Sequence, residues 1–407
     1  MDQRFKDYAM DEHHPQYKKA ISREEDLYQR RNDLRSEFGR DYTRIIFSEA
    51  YRRLKNKTQV FFAPHNDHVC TRIEHVNLVE SISHTIGEYL GLNTELIKAI
   101  AVGHDLGHAP FGHGGETILT QLAIENGLPR FWHEKNSLHF VDDIELLDDN
   151  KNIKHNLNLT YAVRDGMIAH CGEMNQQYIQ KREEAIDLDE YQYAGQYNPW
   201  TYEGCVVKMA DKIAYLARDI EDALRLNIIT LSQVNELRDY LNTLSSYQFV
   251  SINNGSIVNY FINDVVKNSC IEKGIGLSLD ALHIMQYIMK FNYKNIYLNA
   301  QLTVHNQYVS LILTSLYNTL YTYTLYDDVM KTLQDHLNRY PKLIGNYIDW
   351  LNKYALLANV DRNPMYQNKI LYDFISDPSA PQRSIIDYLA GMSDSFIKQL
   401  FEELISF

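Results

Sequence analysis

Residues 94–116 read TELIKAIAVGHDLGHAPFGHGGE. The spacing predicts a helix from about Thr94 to Asp105. It gives way to Gly107-His-Ala-Pro-Phe-Gly-His-Gly-Gly115, where four glycines and a proline oppose regular structure and let backbone come close to a ligand. A helix that ends on His104-Asp105 and runs straight into a loop carrying His108, His113 and Glu116 puts chemistry at a helix terminus.

The surrounding chain is helical as well. Upstream, Ile45, Ile46, Ala50 and Leu54 recur at helical spacing, as do Val76, Val79, Ile82, Ile86 and Leu90, which stop at Gly91. Downstream, Val206, Val207, Ala210, Ile213, Ala214, Ala217, Ile220 and Leu224 mark a long amphipathic helix over about 203–226. Asp211, Tyr215 and Asp219, four residues apart, share one stripe of it. The oily stretch Tyr308 to Tyr326 is broken by Ser, Thr, Asn and Tyr and reads as a buried helix rather than a membrane span. The expectation is an all-α, mainly helical fold with few or no strands. A polar arm covers 1–40, with a short helix around Glu24 to Phe38. A core covers 41–270, and a tyrosine- and asparagine-rich helical C-terminal lobe covers 271–407.

Composition narrows the partners. Forty basic against fifty-three acidic side chains give a net charge of -13, which offers no global attraction to nucleic acid or an anionic membrane. A phosphate ligand therefore needs a local basic site or a metal. Cys70, Cys171, Cys205 and Cys270 form no CxxC pair, and the charged N-terminal stretch lacks the apolar core of a signal peptide, so a reduced, cytoplasmic setting is expected.

Nine of the sixteen histidines lie at 65, 68, 75, 84, 104, 108, 113, 133 and 139. Imidazoles interleaved with acids suit borderline and hard divalent cations. The sharper pattern is Arg72-x-x-His75, then His104-Asp105, then Asp211, on three expected helices. Burying Asp211 on an apolar helix without a partner would cost several kcal/mol, so it should meet a cation or a metal.

This H…HD…D arrangement resembles the HD superfamily of metal-dependent phosphohydrolases, and the neighbouring text resembles its dGTPase-like, deoxynucleoside triphosphate triphosphohydrolase branch. The matching segments are YRRLKNKTQVF (51–61), TRIEH (71–75), HDLGHAPFGHGGE (104–116), RDGMIAHCGE (164–173) and EGCVVKMADKIAYLARD (203–219), with a weaker match at DYLAGMSD (387–394). The resemblance implies that His75, His104, Asp105 and Asp211 ligate one divalent ion, Mn²⁺, Mg²⁺, Fe²⁺ or Co²⁺, with a second Mg²⁺ accompanying the triphosphate. It implies catalytic roles for His113, Glu116, His133 and Glu134. Arg72, His108 and Lys212, with Arg164 as a further candidate, would meet phosphate; Gln59, Tyr215 and Asp219 would select the deoxyribose. The reaction implied is water attack at the α-phosphorus, separating a deoxynucleoside from tripolyphosphate. It also implies a homo-oligomer, tetramer or hexamer, and a nucleotide activator.

Several residues also have a plainer reading: Lys212 as a solvated helix lysine, Tyr215 as core, and Arg218 in a helix ion pair with Asp219 and Asp222; His170 reads either as a residue behind the metal ligands or as core. Two other functions keep the same metal site: hydrolysis of a cyclic nucleotide, an alarmone or single-stranded nucleic acid, and nucleotide sensing without turnover.

Overall fold

The computed structural model describes residues 3–27, 32–62, 66–170 and 176–406. His65 and Cys171 of the sequence patterns lie outside the described residues, as do part of the short helix expected around Glu24 to Phe38 and the end of the 164–173 segment. The structure is mainly helical. Its strands are two or three residues long and pair as Leu146–Asp148 with Lys154–Asn156, Tyr178–Ile179 with Ile275–Gly276, and Ala355–Leu356 with Tyr372–Asp373. Among the described residues no helix is long and apolar enough to cross a membrane.

Two compact units account for the chain, and each is discontinuous. One comprises Met1–Ile46, His65–Asp105 and Leu159–Thr303; the other comprises Phe47–Pro64, Leu106–Asn158 and Val304–Phe407. Residues from the expected core 41–270 and lobe 271–407 contribute to both.

In the first unit the helix Arg72–Leu90 packs against Thr94–Gly103 and the long helix Tyr202–Arg225, and Tyr161–Ala169 covers both of the latter. Val76, Val79, Ile82, Ile86 and Leu90 of the first helix are fully buried. At about 2 kcal/mol per buried aliphatic side chain this face contributes roughly 10 kcal/mol of hydrophobic stabilisation, an upper bound against an extended unfolded chain. The helix starts where the Glu74 carboxylate accepts the Thr71 N–H at 2.8 Å, and it stops at Gly91 with φ 87°, as the glycine suggested. The N-terminal stretch, expected as a surface arm, is packed down: Phe5 is buried edge-on to Tyr202 at 4.8 Å, and the Met10 N–H donates to Glu203. The helix expected around Glu24 to Phe38 instead starts at Glu37 and runs to Phe47. The chain passes into the second unit at Phe47, where Ser48 interrupts the apolar run from Ile45 to Leu54 and caps the helix Glu49–Arg53 by accepting the Tyr51 N–H.

In the second unit the glycine-rich loop departs from expectation. Its last glycines, Gly112, Gly114 and Gly115, form the first turn of a helix Gly112–Glu125. Their smallness serves packing: a Cβ on Gly115 would lie 1.8 Å from the Pro110 carbonyl oxygen. Only Gly107 to Phe111 stays irregular. The helix Ala380–Ala390 packs on Gly112–Glu125, and Pro341–Tyr354 packs on Asp394–Ile405.

Candidate metal centre and acid–base cluster

Within the first unit, three helices deliver the expected metal ligands to one point. His75 stands in the first turn of Arg72–Leu90, His104 and Asp105 follow the last turn of Thr94–Gly103, and Asp211 is mid-helix in Tyr202–Arg225. His75 Nε2 lies 3.0 Å from Asp211 Oδ1 and 3.9 Å from Asp105 Oδ2. His104 Nε2 lies 3.5 Å from Asp105 Oδ1 and 3.9 Å from Asp211 Oδ1. Ligands about 2.1 Å from a shared octahedral cation sit about 3 Å apart when adjacent, so a modest contraction would seat one ion. The tautomer is also suited: His104 Nδ1 is 2.6 Å from the Ala101 carbonyl, so its proton is held there and Nε2 faces the carboxylates.

The electrostatics favour positive charge at this point. Burial works against an ionised Asp211, but His75, Lys212 and His104 outweigh it and hold its pKa well below the carboxylate range. Burial likewise opposes a charged His75, yet Asp211 and Asp105 raise its pKa. Two imidazoles and two carboxylates that stabilise a proton between them form a donor set that fits a divalent cation.

Arg72 is fully buried and donates to Asp105 at 2.7 Å, so it orients a ligand as well as supplying charge. Lys212 Nζ is 3.8 Å from Asp211 Oδ2, and Lys208, one turn earlier, is also buried. His170, which sequence left without a role, stands edge-on to His104 at 4.8 Å. Arg164 donates to Glu24 at 2.7 Å. Arg218 approaches Glu74 at 3.7 Å and Glu221 at 3.8 Å instead of the expected Asp219.

Asp219 is 2% exposed and accepts a hydrogen bond from Tyr297, a residue that sequence did not single out because it lies 78 residues away. Burial pushes the Asp219 pKa up to about 7, although Tyr297 pulls the other way. Tyr215, one turn before, is half-buried.

The second unit holds the other expected residues. His133 opens the helix His133–His139, and its ring lies 3.7 Å from that of His108. Glu116 Oε2 is 3.1 Å from His133 Nδ1 and 3.7 Å from His113 Nδ1. His133 Nε2 is 3.3 Å from the buried Glu134. Burial would raise the Glu116 pKa, but bonds to His113 and His133 win and keep it ionised. His113 itself is exposed. Gln59 is half-buried and follows Thr58 in the same unit. This cluster depends on Gly107: its N–H donates to Ser137 Oγ at 2.9 Å, and a Cβ there would lie 2.1 Å from the Ser137 backbone nitrogen.

A helical bundle that converges His, His-Asp and Asp on one cation-favouring point has the make-up of an HD domain, and residues 72–216 match the HD domain family model. The match extends well beyond that module. The chain is 38% identical over 280 residues to a deoxyguanosinetriphosphate triphosphohydrolase-like protein of Desulfatibacillum aliphaticivorans, covering 68% of this chain and 70% of that one. It is 31% identical to a protein of the same description from Clostridium tetani, over 93% and 88% of the two chains. A third, from Caldanaerobacter subterraneus subsp. tengcongensis, is 29% identical over 91% and 86%. The chain belongs to the deoxyguanosinetriphosphate triphosphohydrolase-like family.

Proposed function

We propose that this protein hydrolyses deoxynucleoside triphosphates, dGTP among them, to deoxynucleoside and tripolyphosphate. The observation that carries the reading is the convergence of His75, His104, Asp105 and Asp211 on one point backed by Arg72 and Lys212. A divalent cation held there, Mn²⁺, Mg²⁺, Fe²⁺ or Co²⁺, supplies Lewis-acid polarisation of the α-phosphate and a template for it. In the overall reaction water adds to the α-phosphorus and the bond to the 5′ oxygen breaks. That oxygen leaves with a proton as the deoxynucleoside hydroxyl, and the attacked phosphate remains in tripolyphosphate.

Arg72 holds Asp105 in its ligating pose, and Lys212 meets phosphate beside Asp211. Glu116, kept ionised, orients the imidazoles of His113 and His133, which carry protons to and from the reacting oxygens with Glu134 in support. His108 joins them as a donor to phosphate. Asp219 and Gln59 accept from the sugar 3′-hydroxyl, and Tyr215 packs where a ribose 2′-hydroxyl would need room. Assembly as a homo-oligomer and activation by a second nucleotide belong to the same reading.

The test is a product assay with each dNTP, singly and mixed, in Mg²⁺ or Mn²⁺, with GTP and bis-p-nitrophenyl phosphate as controls. Deoxynucleoside plus tripolyphosphate is the expected result. Cleavage of the diester with silence on every dNTP would remove the triphosphohydrolase assignment and keep the metal site.

A further inference from the structure

The segment Asp387–Asp394 belongs to the second unit, as does the loop after Gly107, and the two are tied by buried polar contacts. Asp394, 2% exposed, divides its carboxylate: Oδ1 accepts the Phe111 N–H at 2.8 Å, and Oδ2 accepts the Thr58 N–H at 2.8 Å. Lys57, also 2% exposed, donates to the Ala390 carbonyl at 3.0 Å and to the His108 carbonyl. The loop is thus gripped at the carbonyl of His108 and at the amide of Phe111, with Ala109 and Pro110 buried between them.

Phe111 has φ 61° and ψ 24°. A bulky aromatic residue rarely occupies this left-handed region, and where one does the surroundings hold it there. Its holders include the Asp394 carboxylate and, edge-on, the rings of Phe62 at 5.3 Å and His305 at 6.0 Å. Return of Phe111 to right-handed backbone would redirect the chain between His108 and His113. A buried ammonium and carboxylate are a poor way to gain net stability, because desolvation offsets most of their attraction. They are a good way to fix backbone direction, since each bond is short and directional.

We infer that Asp394 and Lys57 are positioning residues that set the backbone from His108 to Phe111 and thereby aim the imidazoles of His108 and His113. This rests on the reading that those groups serve the hydrolysis. It gives the C-terminal segment a part in catalysis although Asp394 and Lys57 touch no substrate.

The experiment uses the full chain with metal and the variants Asp394→Asn and Lys57→Met. Turnover of dNTPs and of bis-p-nitrophenyl phosphate, Mn²⁺ affinity, Tm and hydrogen exchange across residues 106–113 are measured together. Asp394→Asn is expected to lower kcat by about 10- to 100-fold, the cost of aiming a catalytic group wrongly by an ångström or less. KM and Mn²⁺ affinity should stay within about threefold while exchange in the loop accelerates. Lys57→Met should do the same, and the double variant should be little worse than the poorer single one, as for residues acting through one element. An unchanged kcat per folded molecule in both variants overturns the inference. So does a loss of kcat matched by equal losses of Mn²⁺ affinity and of Tm, which is what general loosening produces. If the parent is silent on dNTPs the proposed function fails, and the same kcat comparison on the diester then decides the positioning role.

Discussion

Raising the pH from 6.5 to 10 should destabilise this protein through one residue, His139. Its Nδ1 is 2.8 Å from Asp143 Oδ2 and its Nε2 is 3.2 Å from Asp387 Oδ2, which also accepts from Tyr372 at 2.8 Å. Burial would lower the imidazole pKa, but Asp387 and Asp143 push it up to about 10. A pKa raised in the folded state adds stability that is complete below the unfolded value near 6.5 and is lost as pH climbs through 10. Each pH unit in that window removes at most about 1.4 kcal/mol. The full span is bounded by about 5 kcal/mol, and because the side chain is 29% exposed we expect about half of that. The assay is urea unfolding of the parent and of His139→Gln at half-unit steps from pH 6 to 10. The stability difference should be flat up to about pH 6.5 and shrink steadily above it. Parallel curves for the two proteins would refute the reasoning. His139 ends the helix that begins at His133, a proposed catalytic residue, and Asp387 heads the segment that ends at Asp394.

Four further substitutions separate the parts of the site. Asp211→Ala should abolish both bound Mn²⁺ and turnover, whereas His113→Ala should retain the metal and lose about 10²- to 10³-fold in kcat; metal content and initial rates check both, and a His113 variant as active as the parent would remove its acid–base role. Gly107→Ala, whose Cβ would meet the Ser137 nitrogen at 2.1 Å, should cost at least about tenfold in kcat with the metal retained, and parental rates would show that the loop can shift harmlessly. Asp219 has its pKa raised to about 7, so its neutral form prevails below that pH and the better hydrogen-bond acceptor above it. KM for dNTPs should fall as pH rises through 7, and Asp219→Asn should leave KM about tenfold higher and flat with pH; a pH-independent KM in the parent would exclude the sugar contact.

What sequence disclosed and what it hid divide along a physical line. Val76 to Leu90 and Val206 to Leu224 could be read as helices because the apolar period of a buried helix face is local. That His75, His104, Asp105 and Asp211 belong together was suggested by the family resemblance, and periodicity alone only put them on three expected helices. Phe5, a core residue, was missed because nothing near it in the chain is periodic. The start of Gly112–Glu125 was missed because glycines discourage a helix locally, while here they admit Pro110 against the first turn. Tyr297 on Asp219, Lys57 on His108 and Asp394 on Phe111 are pairings made across 78, 51 and 283 residues, and no local pattern encodes them.

The charge pattern bears directly on the proposed phosphate ligand of a chain of net charge -13. Asp105 and Asp211 alone would repel a triphosphate. Arg72, 2.7 Å from Asp105, and Lys212, 3.8 Å from Asp211, cancel them in formal charge, so a divalent ion would leave the point net positive. Because Arg72 is fully buried and shielded from salt, its contribution should persist at ionic strengths that screen surface charge. On the proposed reading the acidic balance of the rest of the chain works in the opposite sense, discouraging long nucleic acids, while the metal-loaded centre would accept a short polyanion. That combination favours a free nucleotide over a polymer as the substrate, and it follows from the position of four side chains rather than from overall composition.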